Sequence, residues 1–408
     1  MGAHSTASSP YKIHGALAAG AVTGGLFAGV GLCSAPTANA TCASFFGIGN
    51  SAECTSTLTS AAIAIGNGAV AHADGSVSAA FVLGDNSSAV TGAGSLFNLA
   101  ISSVGDGNKA EALDGVANFA VNIGGDGNTA ASSGNAFNTA VNILGNGNTV
   151  TTQAGNANWA RNVFGDNNTV ALNGGTGNAA RSAFGDGNHI TIQGGNSNTA
   201  RTLFGDANTL AITGGYGNLA RNLFGDTNDI AIQVGYLDLA SNVVGSGNEI
   251  TSTGGYVNGA RNLVGSDNTL SAGGPGSNLN LVFNTVSGGN KLSAGASNST
   301  LNAVVNAGGG GNTIGAGESD GNLNAGFNLL GRDNTVTAGP GPLTLAGSVL
   351  RDGQTVTRAK PGIAINGFGG AAAAGNRAAT FNPSKGKVRN AASATTSRIR
   401  KIRESVAH

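Results

Sequence analysis

Hydrophobic and polar positions along this chain recur every 20 residues. From Asn158 to Gly175, the residues Asn158, Ala160, Asn162 and Phe164 occupy alternate positions, and after Gly165-Asp166 the alternation resumes with Asn168, Val170 and Leu172. Alternation with period two over short runs marks strands with one buried face, and no stretch of the repeat sustains a 3.6-residue period. Each repeat therefore predicts two short strands, near 158–164 and 168–172. Turns at Gly165-Asp166 and Gly174-Gly175 join them, with glycine supplying the positive φ such turns need. Asn108, Asn128, Asn148, Asn168, Asn188, Asn208, Asn228, Asn248 and Asn268 hold one fixed column. So strict and short a period means one supersecondary unit stacked many times. The predicted fold is all-β, a parallel β-solenoid in which each strand pairs with its equivalent one coil away, ~4.8 Å distant.

The columns predict the interior. Phe164-Phe184-Phe204-Phe224 and Val170-Ile190-Leu210-Ile230 are expected to form a continuous core. The Asn158 and Asn162 columns alternate with apolar residues, so inward amide ladders are expected there, each side chain bonding to its equivalents above and below. Ser182 and Thr202 interrupt the second of these. The Asn168 column beside the Gly165 turn reads as turn formers. The spacing widens by two positions between Asn86 and Asn108 and again along Asn268, Asn290, Asn312 and Asn334, with Gln354 following. This gives about 14 coils, each of about 20–22 residues, over 61–357. A further weak coil lies around Ile65-Gly66-Asn67-Gly68.

Both ends depart from the repeat. Lys12 and His14 precede an apolar run from Ala16 to Leu32, and Ala38-Asn39-Ala40 supplies an A-x-A cleavage pattern. Residues 1–40 are expected to be a cleaved export signal, with a retained anchor as the alternative. Cys33 follows Leu32 rather than a small residue, which argues against lipidation. The mature chain keeps Cys42 and Cys54, and an exported chain with one close cysteine pair is expected to oxidise it. Residues 41–60 then form a disulfide-stapled N-terminal cap, because the first coil of a solenoid has no neighbour above it.

Composition sharpens this picture. Of 408 residues 70 are Gly, without the G-X-Y period of collagen, and the 40% hydrophobic content is more than a disordered chain carries. The formal net charge of zero hides an asymmetry. Residues 41–357 hold nine Lys/Arg against 19 Asp/Glu, and residues 358–408 hold ten Lys/Arg against Glu404 alone. The segment 358–408 reads as a Gly/Ala-rich linker and a flexible basic tail. Its Lys385, Lys387, Arg389, Arg398, Arg400, Lys401 and Arg403 are the expected contacts to an anionic cell-wall polymer or membrane surface. No aromatic residue interleaves them, which counts against stacking on nucleic acid.

Candidate chemistry is sparse. His72 and His189 lack a metal-ligand neighbour at i+4 and a nucleophile motif beside them, and Gly-x-Gly strings fall outside any βαβ unit. The column Asp166, Asp186, Asp206 and Asp226 would stack carboxylates that repel one another. Two reliefs are available. Arg161, Arg181, Arg201, Arg221 and Arg261, five residues earlier, could neutralise it as an ion ladder, or Ca²⁺ could bridge successive coils, although the nonapeptide of Ca²⁺-binding β-rolls is missing. No other cofactor is expected. A carboxylate pair acting on polysaccharide would show as one irregular coil, whereas this column is regular. Thr149, Thr169, Thr209 and Thr269 follow from the β-propensity of threonine.

Ala64-Ile65-Gly66-Asn67-Gly68-Ala69 and Val82-Leu83-Gly84-Asp85-Asn86 resemble the head repeats of trimeric autotransporter adhesins, which are left-handed β-rolls that bind host surfaces. The likeness covers residues 63–90 and lacks that family's C-terminal anchor. The Ala/Gly-rich signal and the Gly/Asn-rich repeats resemble, across most of the chain, exported repeat surface proteins of mycobacteria and related actinobacteria. The export signal, the repeat and the charge asymmetry lead to the expectation of a secreted or cell-wall-associated structural or adhesive protein, with a host or polysaccharide surface as partner of the repeat. The sequence-level alternatives are a polysaccharide-acting β-helix enzyme and a Ca²⁺-dependent β-roll. Trimeric or end-to-end self-assembly stays open.

Overall fold

A computed structural model describes residues 41–318 and 320–366. The expected signal (1–40) and the basic residues from Lys385 to Arg403 lie outside the described residues. Every regular element described is a strand, and the strands form two sheets of 18 and 16. The chain alternates between them, so that each sheet gains one strand per coil. The first sheet runs in parallel from Ala61–Ile65 to Gly362–Asn366, and the second from Cys54–Ser56 to Thr355–Arg358. Single-residue bridges such as Tyr216 to Tyr236 and Tyr236 to Tyr256 make a third, narrow side. The parallel β-solenoid expected from the repeat is the observed fold.

Register follows the sequence period. Trp159 pairs with Ala179 and Thr169 with His189, one regular period on, while Leu281 pairs with Ala303 across the wider spacing. The offset is two positions shorter than the regular period at Ala61 with Ala79 and at Thr344 with Gly362. The solenoid has about 16 turns rather than 14, because Cys54–Ser56 and Val70–Ala73 form coils ahead of the one holding Asn86. It also continues past residue 357, where the tail was expected to begin, since Gly362–Asn366 pairs with the strand Thr344–Val349.

The core is two-sided. The second sheet sends in Val150, Val170, Ile190, Leu210, Ile230, Ile250 and Leu270, all fully buried, with Leu172, Ile192, Ile212 and Ile232 beside them. Burying each such aliphatic side chain stabilises the fold by roughly 1.5–3 kcal/mol. The first sheet answers with alanine, from Ala100 through Ala160 to Ala260. Small residues on one wall leave room for large ones on the other, which is how a narrow interior reaches native packing density.

The expected phenylalanine core is not there. Phe164, Phe184 and Phe204 are each 40% exposed and Phe224 45%. Alternation holds through Ala160 and Asn162 and then slips. Asn162 pairs with Ser182 and Phe164 with Phe184, leaving position 163 out of the ladder. Val163 takes a buried place and Phe164 emerges on the outside, as at a bulge.

Asparagines fill the corners. The expected Asn158 ladder is present: the backbone N–H of Asn178 donates to Asn158 Oδ1 at 3.0 Å, and Asn178 Nδ2 donates to Gly195 O at 3.0 Å. In the second expected ladder, Asn162 Nδ2 donates to Asn142 Oδ1 at 2.9 Å, and the series resumes with Asn242 to Asn222 at 2.7 Å. Ser182 and Thr202 break it there, and their buried hydroxyls find no partner. The Asn168 column is a correction. It is a third buried ladder, in which the N–H of Asn168 donates to Asn148 Oδ1 at 2.8 Å and Asn168 Nδ2 to Gly185 O at 2.8 Å. The ladder runs on through Asn290, Asn312 and Asn334 to Gln354. Upstream, its member is Ser87 rather than Asn86. Ser87 Oγ accepts the N–H of Asn108 at 3.1 Å, while Asn86 is a turn residue with φ 48°.

The N-terminal end is closed. Thr41–Phe45 lies antiparallel on Ala61–Ile65, and Ile48–Gly49 folds back on it. A disulfide joins Cys42 to Cys54, with a Cα–Cα distance of 5.6 Å. The staple expected from the cysteine pair therefore ties this antiparallel strand to the first strand of the second sheet, covering an edge that would otherwise be open.

Candidate functional site

With inward polar groups bonded along the axis, the chemistry available to partners lies on the outward columns. The acidic column sits in the turns after Gly165 and its equivalents. Asp166 Oδ1 accepts the N–H of Asn146 at 2.6 Å, Asp186 that of Asp166 at 2.7 Å, Asp206 that of Asp186 at 2.8 Å and Asp226 that of Asp206 at 2.8 Å. At equivalent positions Asn146 accepts from Asp126, and Ser246 from Asp226. The turn needs a side-chain acceptor, and aspartate, asparagine and serine all supply it. Among the described residues no group of three or more His, Cys, Asp and Glu side chains converges into a metal-sized cluster.

The expected ion ladder between this column and the arginines does not form. Lys109 pairs with Glu111 at 2.8 Å, outside both columns. Arg161, Arg181, Arg201 and Arg221 follow one another on the outward face of the first sheet, pairing rung to rung. Their Nε atoms are buried against the sheet without a hydrogen-bond partner, as is that of Arg261. Burial of the stem, and then the like charges of Arg161 and Arg201, lower the Arg181 pKa from its usual value. Arg221 is lowered by burial, then by Arg201 and Arg261.

Beside the arginines stand the displaced phenylalanines. Phe164, Phe184, Phe204 and Phe224 stack face to face, with centroids 5.0–5.2 Å apart and planes within 7–12° of parallel. Trp159 stands at the opposite end of the same strand, with Arg161 lying 5.9 Å from its ring centroid. On the narrow side Tyr216, Tyr236 and Tyr256 form a second, looser stack at 5.3–5.4 Å. Two apolar columns side by side, at 163 and 164, were the signal in the sequence that alternation breaks here.

Other candidates are placed as follows. Thr55 Oγ1 lies 2.7 Å from His72 Nδ1 and donates to Asp74 Oδ1 at 3.0 Å. These residues come from adjacent coils, so linear spacing could not reveal them. With its single proton given to the carboxylate, Thr55 accepts from His72, an order opposite to that of a base activating a nucleophile. His189 lies beside Thr191 Oγ1 at 3.2 Å. A surface depression lined by Val286, Ser287, Gly288, Leu330, Arg332 and Asp333 offers one carboxylate and one guanidinium. Compared with protein-family models and with curated proteins, the sequence matches none.

Proposed function

We propose that this protein is an exported, non-enzymatic rod of the cell surface or cell wall, structural or adhesive in role, whose basic C-terminal residues Lys385, Lys387, Arg389, Arg398, Arg400, Lys401 and Arg403 contact the anionic envelope. One observation carries the reading. Buried asparagines bond along the axis, while identical side chains repeat outward in columns over up to four successive coils. Such a molecule presents a periodic surface to a repetitive partner rather than a single concave site to a small substrate. The export pattern ending in Ala38-Asn39-Ala40 and the charge asymmetry between body and tail support the location.

The test is co-sedimentation of the full mature chain with purified envelope of the source organism across a salt series, beside a truncation ending at Asn366. Salt-sensitive binding that the truncation loses is the expected result. Equal binding by both would move recognition from the tail to the solenoid, and binding by neither would end the envelope-associated reading.

A further inference from the structure

Four coils in the middle of the rod carry a positive stripe that the fold does not require. The column occupied by Arg161, Arg181, Arg201 and Arg221 is filled elsewhere by Val121, Val141, Ser241, Phe283 and Val305. Packing therefore accepts neutral residues at this position. Four successive guanidinium groups one coil apart repel one another. No carboxylate of the described residues comes within ion-pair range to offset this. The stripe is about 15 Å long at ~4.8 Å per strand. The parallel register fixes its spacing.

The adjoining phenylalanine stack fits the same charge. Its ring faces are occupied by one another, so the rings offer their edges to solvent. An aromatic edge is the positive side of the ring quadrupole. Arginine stripe and phenylalanine edges thus present one electropositive surface with an apolar margin. Single-stranded nucleic acid binds by stacking successive bases on free ring faces, and this column leaves only the outer faces of Phe164 and Phe224.

We infer that the outward face formed by Arg161, Arg181, Arg201 and Arg221 and the Phe164–Phe224 stack binds a linear acidic polysaccharide lying along the solenoid axis. Carboxylate or sulfate groups of the polymer accept from the guanidinium forks, and sugar oxygens face the positive ring edges. The bound polymer also relieves the repulsion within the stripe, so affinity grows with the number of coils engaged. This deepens the adhesive reading above and rests on it in taking the partner to be extracellular.

The experiment measures binding of the full mature chain to immobilised polygalacturonate, with dextran as neutral polymer and oligo(dT) as polynucleotide. Three variants are compared: R181Q/R201Q/R221Q, R181K/R201K/R221K, and the tail variant K385Q/K387Q/R389Q. The expected pattern is salt-dependent binding to polygalacturonate but not dextran, a loss of about tenfold or more in the glutamine variant, and a smaller loss in the lysine variant, which keeps the charge but not the fork. Circular dichroism checks that the glutamine variant keeps its β signature. If it does not, the single Arg201→Gln replaces it, with an expected loss of about threefold. Wild-type affinity in a folded glutamine variant overturns the inference. If the tail variant then loses binding, the tail is the anionic contact and the envelope reading survives without this face. Preference for oligo(dT), or no binding to polygalacturonate, also overturns it, while the envelope co-sedimentation decides the broader reading separately.

Discussion

Asp238 occupies the rung next to Asn218 in a buried amide ladder, and it lacks the donor that its neighbour uses. Asn218 Oδ1 accepts the N–H of Asp238 at 2.9 Å, and Asp238 Oδ1 accepts that of Asn258 at 2.8 Å, so the axial chain is unbroken. Asn218 Nδ2 donates to Gly235 O at 2.9 Å, whereas the corresponding atom of Asp238, Oδ2, is buried with no partner. Burial raises the Asp238 pKa from 3.8 to about 6, against hydrogen bonds from Asn258 and Ser252 that lower it.

A stability profile follows from that carboxyl. The folded state prefers the neutral form, so the stabilising contribution is complete below about pH 4 and is lost as pH rises through about 6. Asp238→Asn is expected to raise stability by about 1–3 kcal/mol at pH 7.5 and to change little at pH 4. Urea unfolding at the two pH values measures it. An equal effect at both would show that the carboxyl does not titrate in this way.

Burial separates two columns that look alike in sequence. Ile212 is fully buried between Ile192 and Ile232, and Ile212→Ala should cost about 3–4 kcal/mol. Phe204 is exposed and gains chiefly from its stacked neighbours, so Phe204→Ala should cost only about 1 kcal/mol. Thermal and denaturant midpoints of the two variants give the order directly, and a reversed order would place the phenylalanines back in the core.

The Asn168 ladder makes a sharper demand. Asn168→Ala removes the acceptor for the N–H of Asn188 and the donor to Gly185 O. Each buried group left unpaired costs about 1–3 kcal/mol, so the variant should lose about 2–5 kcal/mol. Asn86→Ala, at an exposed turn outside the ladder, should stay within about 1 kcal/mol of wild type. Hydrogen exchange at Asn188 N–H would report the lost bond locally.

Reducing the Cys42–Cys54 bridge, which spans 12 residues, should lower stability by about 3 kcal/mol, with faster exchange first in the strand Thr41–Phe45. Contacts in a solenoid run only between neighbouring coils, so the effect should fade over the next few turns. Uniform loss of protection as far as residue 366 would instead mean that the whole rod unfolds as one unit.

The period, the two strands per coil and the apolar column from Val170 to Ile230 were all legible because pairing across coils turns sequence spacing directly into distance. So was the disulfide. The phenylalanine column misled because alternation fails over a single residue, at Val163, where one unpaired position turns Phe164 outward before the next strand resumes the pattern. Asn86 misled for the opposite reason: it matches the asparagine column in identity but sits one place before the ladder position held by Ser87. Pairing of Arg161 with Asp166 looked reasonable from sequence distance, yet the acidic side chains are engaged by the backbone of the preceding coil. The Thr55–His72–Asp74 cluster joins neighbouring coils at the capped end, outside the strict register of the middle coils, and no column in the sequence points to it.

The rung-to-rung register also bears on how such a chain can change over generations. Because coils of the regular 20-residue register offer one another the same Asn168-type amide acceptor and the same strand edge, an in-frame duplication of one such coil would insert between its parents with that ladder and the strand pairing continued. Rod length is then a heritable quantity adjustable in single steps, independent of the closed end at Cys42, and any outward stripe can lengthen with it.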